Sequence, residues 1–410
     1  MQNALIKTTP QSLQKLNKAL AITEKLLEDD NPLGLPELIP YRKGNKWGFC
    51  NRKKEIVIAC EYDSVELFAE GLAIVGRKQK YILKYGFIDK RGNEVIPLIY
   101  DGVYSFSEGL ARVNIGSYRY GFINKNGDVI IPFVYDDDLH PTEKDWKKYH
   151  YFSDGLARVS MKGKDGIIDK SGNIVVPFIY DYIGPFKEGL ALVVKDQKRG
   201  FIDKLGNVII PLIYQSYKYY DYDDFSEGLV CVTKESRSGF INKNGNVIIP
   251  FQYVDVKSFS ESLAVAVICS RSSPRTEFKY GFIDKTGKVI IPFIYDWAFS
   301  FSEGLAKVRK DNYWGFIDKN GNTVIPFKYT GWTDSEELST CFSGGLARVE
   351  TFLKLKPHYI DKLGNVIIPD IYENLHDFNG SLAKVSKGKN NRVFNGYFFI
   401  DKKGTEYYED

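Results

Sequence analysis

The chain has 410 residues, 43% hydrophobic and 15% aromatic, which is material for one large core or for several small ones. Its 56 Lys and Arg stand against 52 Asp and Glu, and the formal charge of +4 is interleaved along the chain, so no nucleic-acid partner is expected. No run of about 18 apolar residues occurs, which argues against membrane insertion. The five scattered cysteines (Cys50, Cys60, Cys231, Cys269, Cys341) read as reduced core residues, and a cytoplasmic setting is the expectation.

Residues 1–37 predict an N-terminal amphipathic helix and a linker. Thr9 suits an N-cap and Pro10 a first turn, and Leu13, Leu16, Leu20 and Leu27 recur near helical spacing. Two readings follow: the helix packs over an unfinished first repeat, or it docks a partner.

Residues 38–410 predict an array of about ten β-repeats. The motif "GFIDK" or its equivalent begins at Gly48, Gly86, Gly121, Gly166, Gly200, Gly239, Gly281, Gly315, His358 and Phe398, at intervals of 34 to 45 residues. Within one copy, Asp89 and Gly92 fit a type I turn with positive φ at the glycine, so "YGFID" and "EVIP" are the arms of a bulged hairpin. Pro97 and its equivalents end the second arm, where a missing N–H is tolerated. A tyrosine follows three residues later (Tyr100, Tyr135, Tyr180, Tyr214, Tyr253, Tyr295, Tyr329, Tyr372), then a short strand, the turn "SEG" and the strand "LARV".

Each copy therefore supplies up to four antiparallel strands in meander order. The first copy has no strand before "LIPYRKGNKWGF" and carries Lys54 at the turn-glycine position, and the last stops at "YFFIDKKGTEYYED". Degenerate ends resemble capping repeats, and ten copies exceed the usual four to eight propeller blades. The expected fold is thus an all-β open curved or superhelical array, with a closed propeller-like toroid as the alternative.

"KWGFC" at Lys46–Cys50, "YWGFIDKNGNTVIPFKY" at Tyr313–Tyr329 and the repeated "FSEGLA" resemble the bacterial WG-repeat family over roughly residues 38–408. Trp precedes Gly only at Trp47 and Trp314; elsewhere Tyr or another residue stands there. The resemblance implies a β-rich protein with no established catalytic residues. A more distant likeness to cell-wall-binding repeats implies glycan recognition through repeated aromatics.

Enzymatic chemistry needs a singular constellation, whereas the acids of "SEG" (Glu70, Glu108, Asp154, Glu188, Glu227, Glu261, Glu303) recur once per copy and read as turn residues. The four histidines, His140, His150, His358 and His376, show no metal-ligand spacing, and no phosphate-cradling loop occurs. No enzyme activity, catalytic residue, cofactor or metal is expected. The regular tyrosines read as core, since each buried ring contributes about 1.5 to 3 kcal/mol.

What breaks the pattern is free to specialise. The Tyr-to-Phe loops lengthen after Tyr135, Tyr214 and Tyr329 and become rich in aromatics beside acids. Trp146, Tyr149, Tyr219, Tyr220, Tyr222 and Trp332 are the candidate protein-binding rim. A second, basic set of long loops lies at Ile268–Lys279 and Ser386–Gly396. The expected function is a non-enzymatic scaffold or adaptor for a protein partner; the alternative is a carbohydrate or cell-wall-glycan binding module.

Overall fold

The computed structural model describes residues 31, 33–116, 119–136, 152–215, 224–270, 277–330, 341–351, 354–376, 378–387 and 396–409. The N-terminal helix expected over the first residues lies outside them.

Every described element is a strand, and the strands form ten consecutive copies of one small antiparallel meander. Copy 2 shows the plan with Ser64–Val65, Leu72–Gln79, Ile82–Asp89 and Glu94–Tyr100. Both irregularities in its hairpin have a local cause. Gly92 sits at φ 86° and donates to the Asp89 carbonyl at 3.0 Å, closing the predicted bulged turn. The Asp89 carboxylate accepts the N–H groups of Arg91 and Asn93, each at 2.9 Å, and so fills the turn from inside.

The second irregularity lies at Gly86, where an added Cβ would run into the Ile96 carbonyl and Pro97. Glycine is needed there because the outer strand crosses directly over it. Copy 9 supplies the contrast: His358 occupies the position, and its outer strand, Val366–Ile368, pairs only up to Tyr359↔Ile368.

Stability comes from packing between copies. One face of a copy offers Leu72, Ile74, Phe87, Ile96 and Tyr100, and the next copy covers them with Phe106, Ala111, Val113 and Ile123. The arrangement recurs along the chain. The predicted tyrosine ladder lies in this core, with all eight regular rings buried.

The open curved or superhelical array expected first would keep its ends apart. Here they meet. Among the described residues copy 1 has only Ile39–Lys43, Lys46–Cys50 and Ile56–Tyr62, and the last strand of copy 10, Glu406–Glu409, pairs in parallel with Ile39–Lys43 at Arg42↔Tyr408 and Lys43↔Glu409. One seven-stranded sheet results. Beside it, Ile39, Tyr41 and Cys50 of copy 1 pack on Leu382, Phe399 and Tyr407 of copy 10, the same face-to-face relation that joins the other copies. Lys54, at the turn-glycine position of copy 1, has its ammonium 5.8 Å from the Tyr407 ring centroid. Elsewhere the turn glycine rests on an aliphatic side chain of the preceding copy, as Gly92 does on Ile58. The degenerate ends are therefore complementary rather than capped.

Candidate interaction surface

The "SEG" acids do more than turn the chain. Glu108 (φ 51°) and Gly109 (φ 86°) make a two-residue hairpin with both residues left-handed, closed by reciprocal backbone bonds between Ser107 and Leu110. The positive φ aims each carboxylate at the following copy. Glu70 accepts the Gly109 N–H at 3.0 Å and pairs with Lys125 at 3.1 Å. The ion pair repeats as Glu108–Lys170, Asp154–Lys204, Glu188–Lys243, Glu227–Lys285, Glu261–Lys319 and Glu303–Lys362. Glu37, displaced by one position, pairs with Lys90 for copy 1.

Partial burial alone would raise these glutamate carboxyls. The lysine and the backbone N–H groups outweigh it, so Glu70, Glu108, Glu188, Glu227, Glu261 and Glu303 all lie below the ordinary value.

The six candidate rim residues, Trp146, Tyr149, Tyr219, Tyr220, Tyr222 and Trp332, lie outside the described residues, but their anchors are described. The three loops occur where copies 4, 6 and 9 have only three described strands, in the place of the short first strand. Each begins beside the turn that joins the "LARV" and "GFID" strands of the following copy. Asp136 accepts the Lys162 N–H, Gln215 accepts the Ser236 N–H at 3.1 Å, and the Thr330 N–H donates to the Glu350 carbonyl at 2.9 Å. Each returns through a buried phenylalanine, Phe152, Phe225 or Phe342. The basic insertions extend that same kind of turn, between the paired residues Ser270 and Glu277 and between Ser386 and Tyr397. Both sets of long loops therefore start on one edge of the sheets, which the sequence alone had kept as separate sets.

Two features escaped the sequence reading. At the position of the tryptophan in "WG", copies 4, 5 and 6 carry Asp165, Arg199 and Ser238, all buried. Asp165 accepts the Ser160 hydroxyl at 2.5 Å and the Ile183 N–H at 2.9 Å, with Arg158 3.7 Å away. The Arg199 guanidinium donates to the Cys231 carbonyl at 2.9 Å, and the Thr233 and Ser238 hydroxyls lie 3.1 Å apart. Tyr120, with Arg112 stacked 3.5 Å from its ring centroid, is pushed up to about 12 by burial, against the opposing pull of Arg112 and Arg158. Asp165 and Arg199 each bond to the backbone of the following copy, whereas the Thr233–Ser238 pair closes within copy 6. The signal was the departure from an aromatic at three successive positions.

The other feature is an aliphatic outer strand. Val95, Pro97 and Ile99 face outward in copy 2, as Ile209, Pro211 and Ile213 do in copy 5, with Ile213 58% exposed. Contiguous exposed apolar surface of this kind marks interaction sites more often than singly scattered residues do. By contrast, the regular tyrosines turn no face to solvent.

The WG containing repeat model matches residues 47–81, 85–118, 120–164, 166–198, 200–237, 239–268, 280–314, 314–351 and 359–390. The chain belongs to the WG containing repeat family. No curated protein matches this WG-repeat chain in sequence. Among solved structures it is similar to a eukaryotic initiation factor, with 9% identity, a TM-score of 0.46 and coverage of 90% of this chain and 94% of that one. It is also similar to BamB from Moraxella catarrhalis, with 10% identity, a TM-score of 0.33 and coverage of 82% and 95%. A third is Hsv2p of Kluyveromyces lactis, with 10% identity, a TM-score of 0.34 and coverage of 60% and 94%. Among the described residues no helix is long and apolar enough to cross a membrane, and no cluster of His, Cys, Asp or Glu is arranged to hold a metal.

Proposed function

We propose that this WG-repeat protein is a non-enzymatic scaffold whose ten copies close into one ring and present one edge to a protein partner. The observation that carries this reading is the common origin of the long loops. Three aromatic, acidic insertions leave through equivalent residues, Asp136, Gln215 and Thr330, and return through equivalent buried phenylalanines. Interfaces draw most of their affinity from aromatic anchors, and loops on a rigid frame are the usual place to mount them. The recurring carboxylates are engaged in structural rungs, which argues against assigning them chemistry. Closure supports the frame, because pairing the first and last copies joins two sheet edges that an open array would leave exposed.

The test trims the loops 137–151, 216–223 and 331–340 to the spacing found between Tyr100 and Phe106. Intact and trimmed chains are compared in affinity capture, and binding of any captured protein is then reconstituted from purified components. A protein held by the intact chain and released on trimming supports the scaffold. Reconstituted binding of equal strength to both chains overturns the loop assignment.

A further inference from the structure

The carboxylate–lysine ladder runs through eight successive junctions and then stops. In copy 9, glycine replaces the acid: the turn reads Ser343-Gly344-Gly345, and Gly344 keeps φ at 58°, close to the 53° of Glu303 one copy earlier. The backbone still makes the turn, and only the side chain has been deleted. The other half of the rung remains. Lys402 of copy 10 stands where Lys362 stands in copy 9, and Ser381 occupies the position whose N–H meets the carboxylate in the regular copies. The Lys402 ammonium extends into the space that a Cβ on Gly344 would fill. Among the described residues no carboxylate pairs with Lys402. The next junction repeats the omission: Gly380, at φ 66°, replaces the acid, and Arg52 of copy 1 replaces the lysine. Arg52 helps to lower the Glu37 carboxyl, but that carboxylate is already held by Lys90 at 2.5 Å.

We propose that these adjacent junctions form a carboxylate-binding site that takes two acidic side chains from an extended segment of a protein partner. The site is built, because six other junctions hold a carboxylate between an equivalent N–H and an equivalent lysine and show what occupies it. Facing sheets pack about 10 Å apart, so Lys402 and Arg52 are separated by roughly that step. A polyproline II segment rises about 3.1 Å per residue with three residues per turn, so acids at i and i+3 lie on one side about 9 Å apart. That spacing fits the two cations. The inference rests on the scaffold reading and names the chemistry of its partner.

The test uses the full chain and a fluorescein-labelled peptide, Pro-Pro-Glu-Pro-Pro-Glu-Pro-Pro, with its glutamine counterpart as control, in low salt. Saturable binding of the glutamate peptide is expected, weakening as ionic strength rises, with the control not bound. Gly344→Glu, which refills the rung from within, and Lys402→Gln should each weaken binding about tenfold, the loss expected for one charge-assisted contact. Gly344→Glu should also raise the Tm slightly, which shows that the variant is folded. Absence of binding, or equal binding by Gly344→Glu, overturns the site. If only the chain carrying Glu28→Gln, Asp29→Asn and Asp30→Asn binds the peptide, the protein's own acidic stretch fills the site and the partner assignment fails. Loss of this site with retention of a loop-dependent partner leaves the scaffold reading standing.

Discussion

The junction between copies 2 and 3 and the junctions around copy 10 use the same backbone and opposite chemistry. In the regular region Glu70, the Gly109 N–H and Lys125 close a rung, and a glycine lies under the crossing strand at Gly86 and Gly121. Around copy 10 the acids are Gly344 and Gly380, the crossing glycines are His358 and Phe398, and the sheet edge left by copy 1 is taken by the last strand of the chain. The regular region shows what each position is for. The irregular one shows what remains when it is released.

The largest expected difference concerns the crossing glycine. Gly239→Val puts side-chain atoms where the Ile249 carbonyl and Pro250 lie, and should destabilise the chain by about 3 kcal/mol or more in urea unfolding. His358→Gly, at the equivalent position of copy 9, makes no clash but removes a buried imidazole, and should cost about 1 to 2 kcal/mol. Comparable losses at both positions would break the contrast.

A second, smaller difference separates the polar core from the aromatic one. Asp165→Ala strands the Ser160 hydroxyl, the Ile183 N–H and Arg158, and should cost about 3 kcal/mol; Asp165→Asn, which still accepts hydrogen bonds, should cost clearly less. Equal losses would show that charge, not acceptance, holds copies 4 and 5 together.

The ladder supplies the smallest effects and the pH dependence. The rungs are half-exposed ion pairs, so Glu108→Gln should cost only about 0.5 kcal/mol, readable as a small Tm shift that salt diminishes. Because the folded carboxyls lie below the ordinary glutamate value of 4.5, their contribution is complete above about that pH and is lost as pH falls through the folded values. Thermal unfolding from pH 6 to pH 3 should therefore show a steeper loss in the natural chain than in one carrying glutamine at the ladder positions. Parallel curves would contradict the ladder.

Much of the repeat unit was legible because its causes are local. Asp89 and Gly92 announce their turn, Gly86 marks the close approach, and the three-residue step from Pro97 to Tyr100 returns a ring to the core. The rungs were half legible: Glu70 was visible as a turn residue, but Lys125 lies 55 residues away across an interval that changes from copy to copy. The missing first strand of copy 1 was also visible, yet its complement is the last strand of the chain. Pairing at the greatest sequence separation leaves no periodic signal. Asp165, Arg199 and Ser238 were visible as departures, and their burial followed only from the neighbouring copies that supply their partners.

The proposed ring is tested most directly by a distance across its seam. Spin labels at Lys53 of copy 1 and Lys403 of copy 10 occupy the positions that Arg91 and Asn126 occupy in copies 2 and 3. Pulsed dipolar spectroscopy on both pairs should give matching short distributions, because both junctions are one sheet-to-sheet step of about 10 Å. A seam distance of several such steps, with the regular pair still short, would mean an open array and would contradict the closed scaffold.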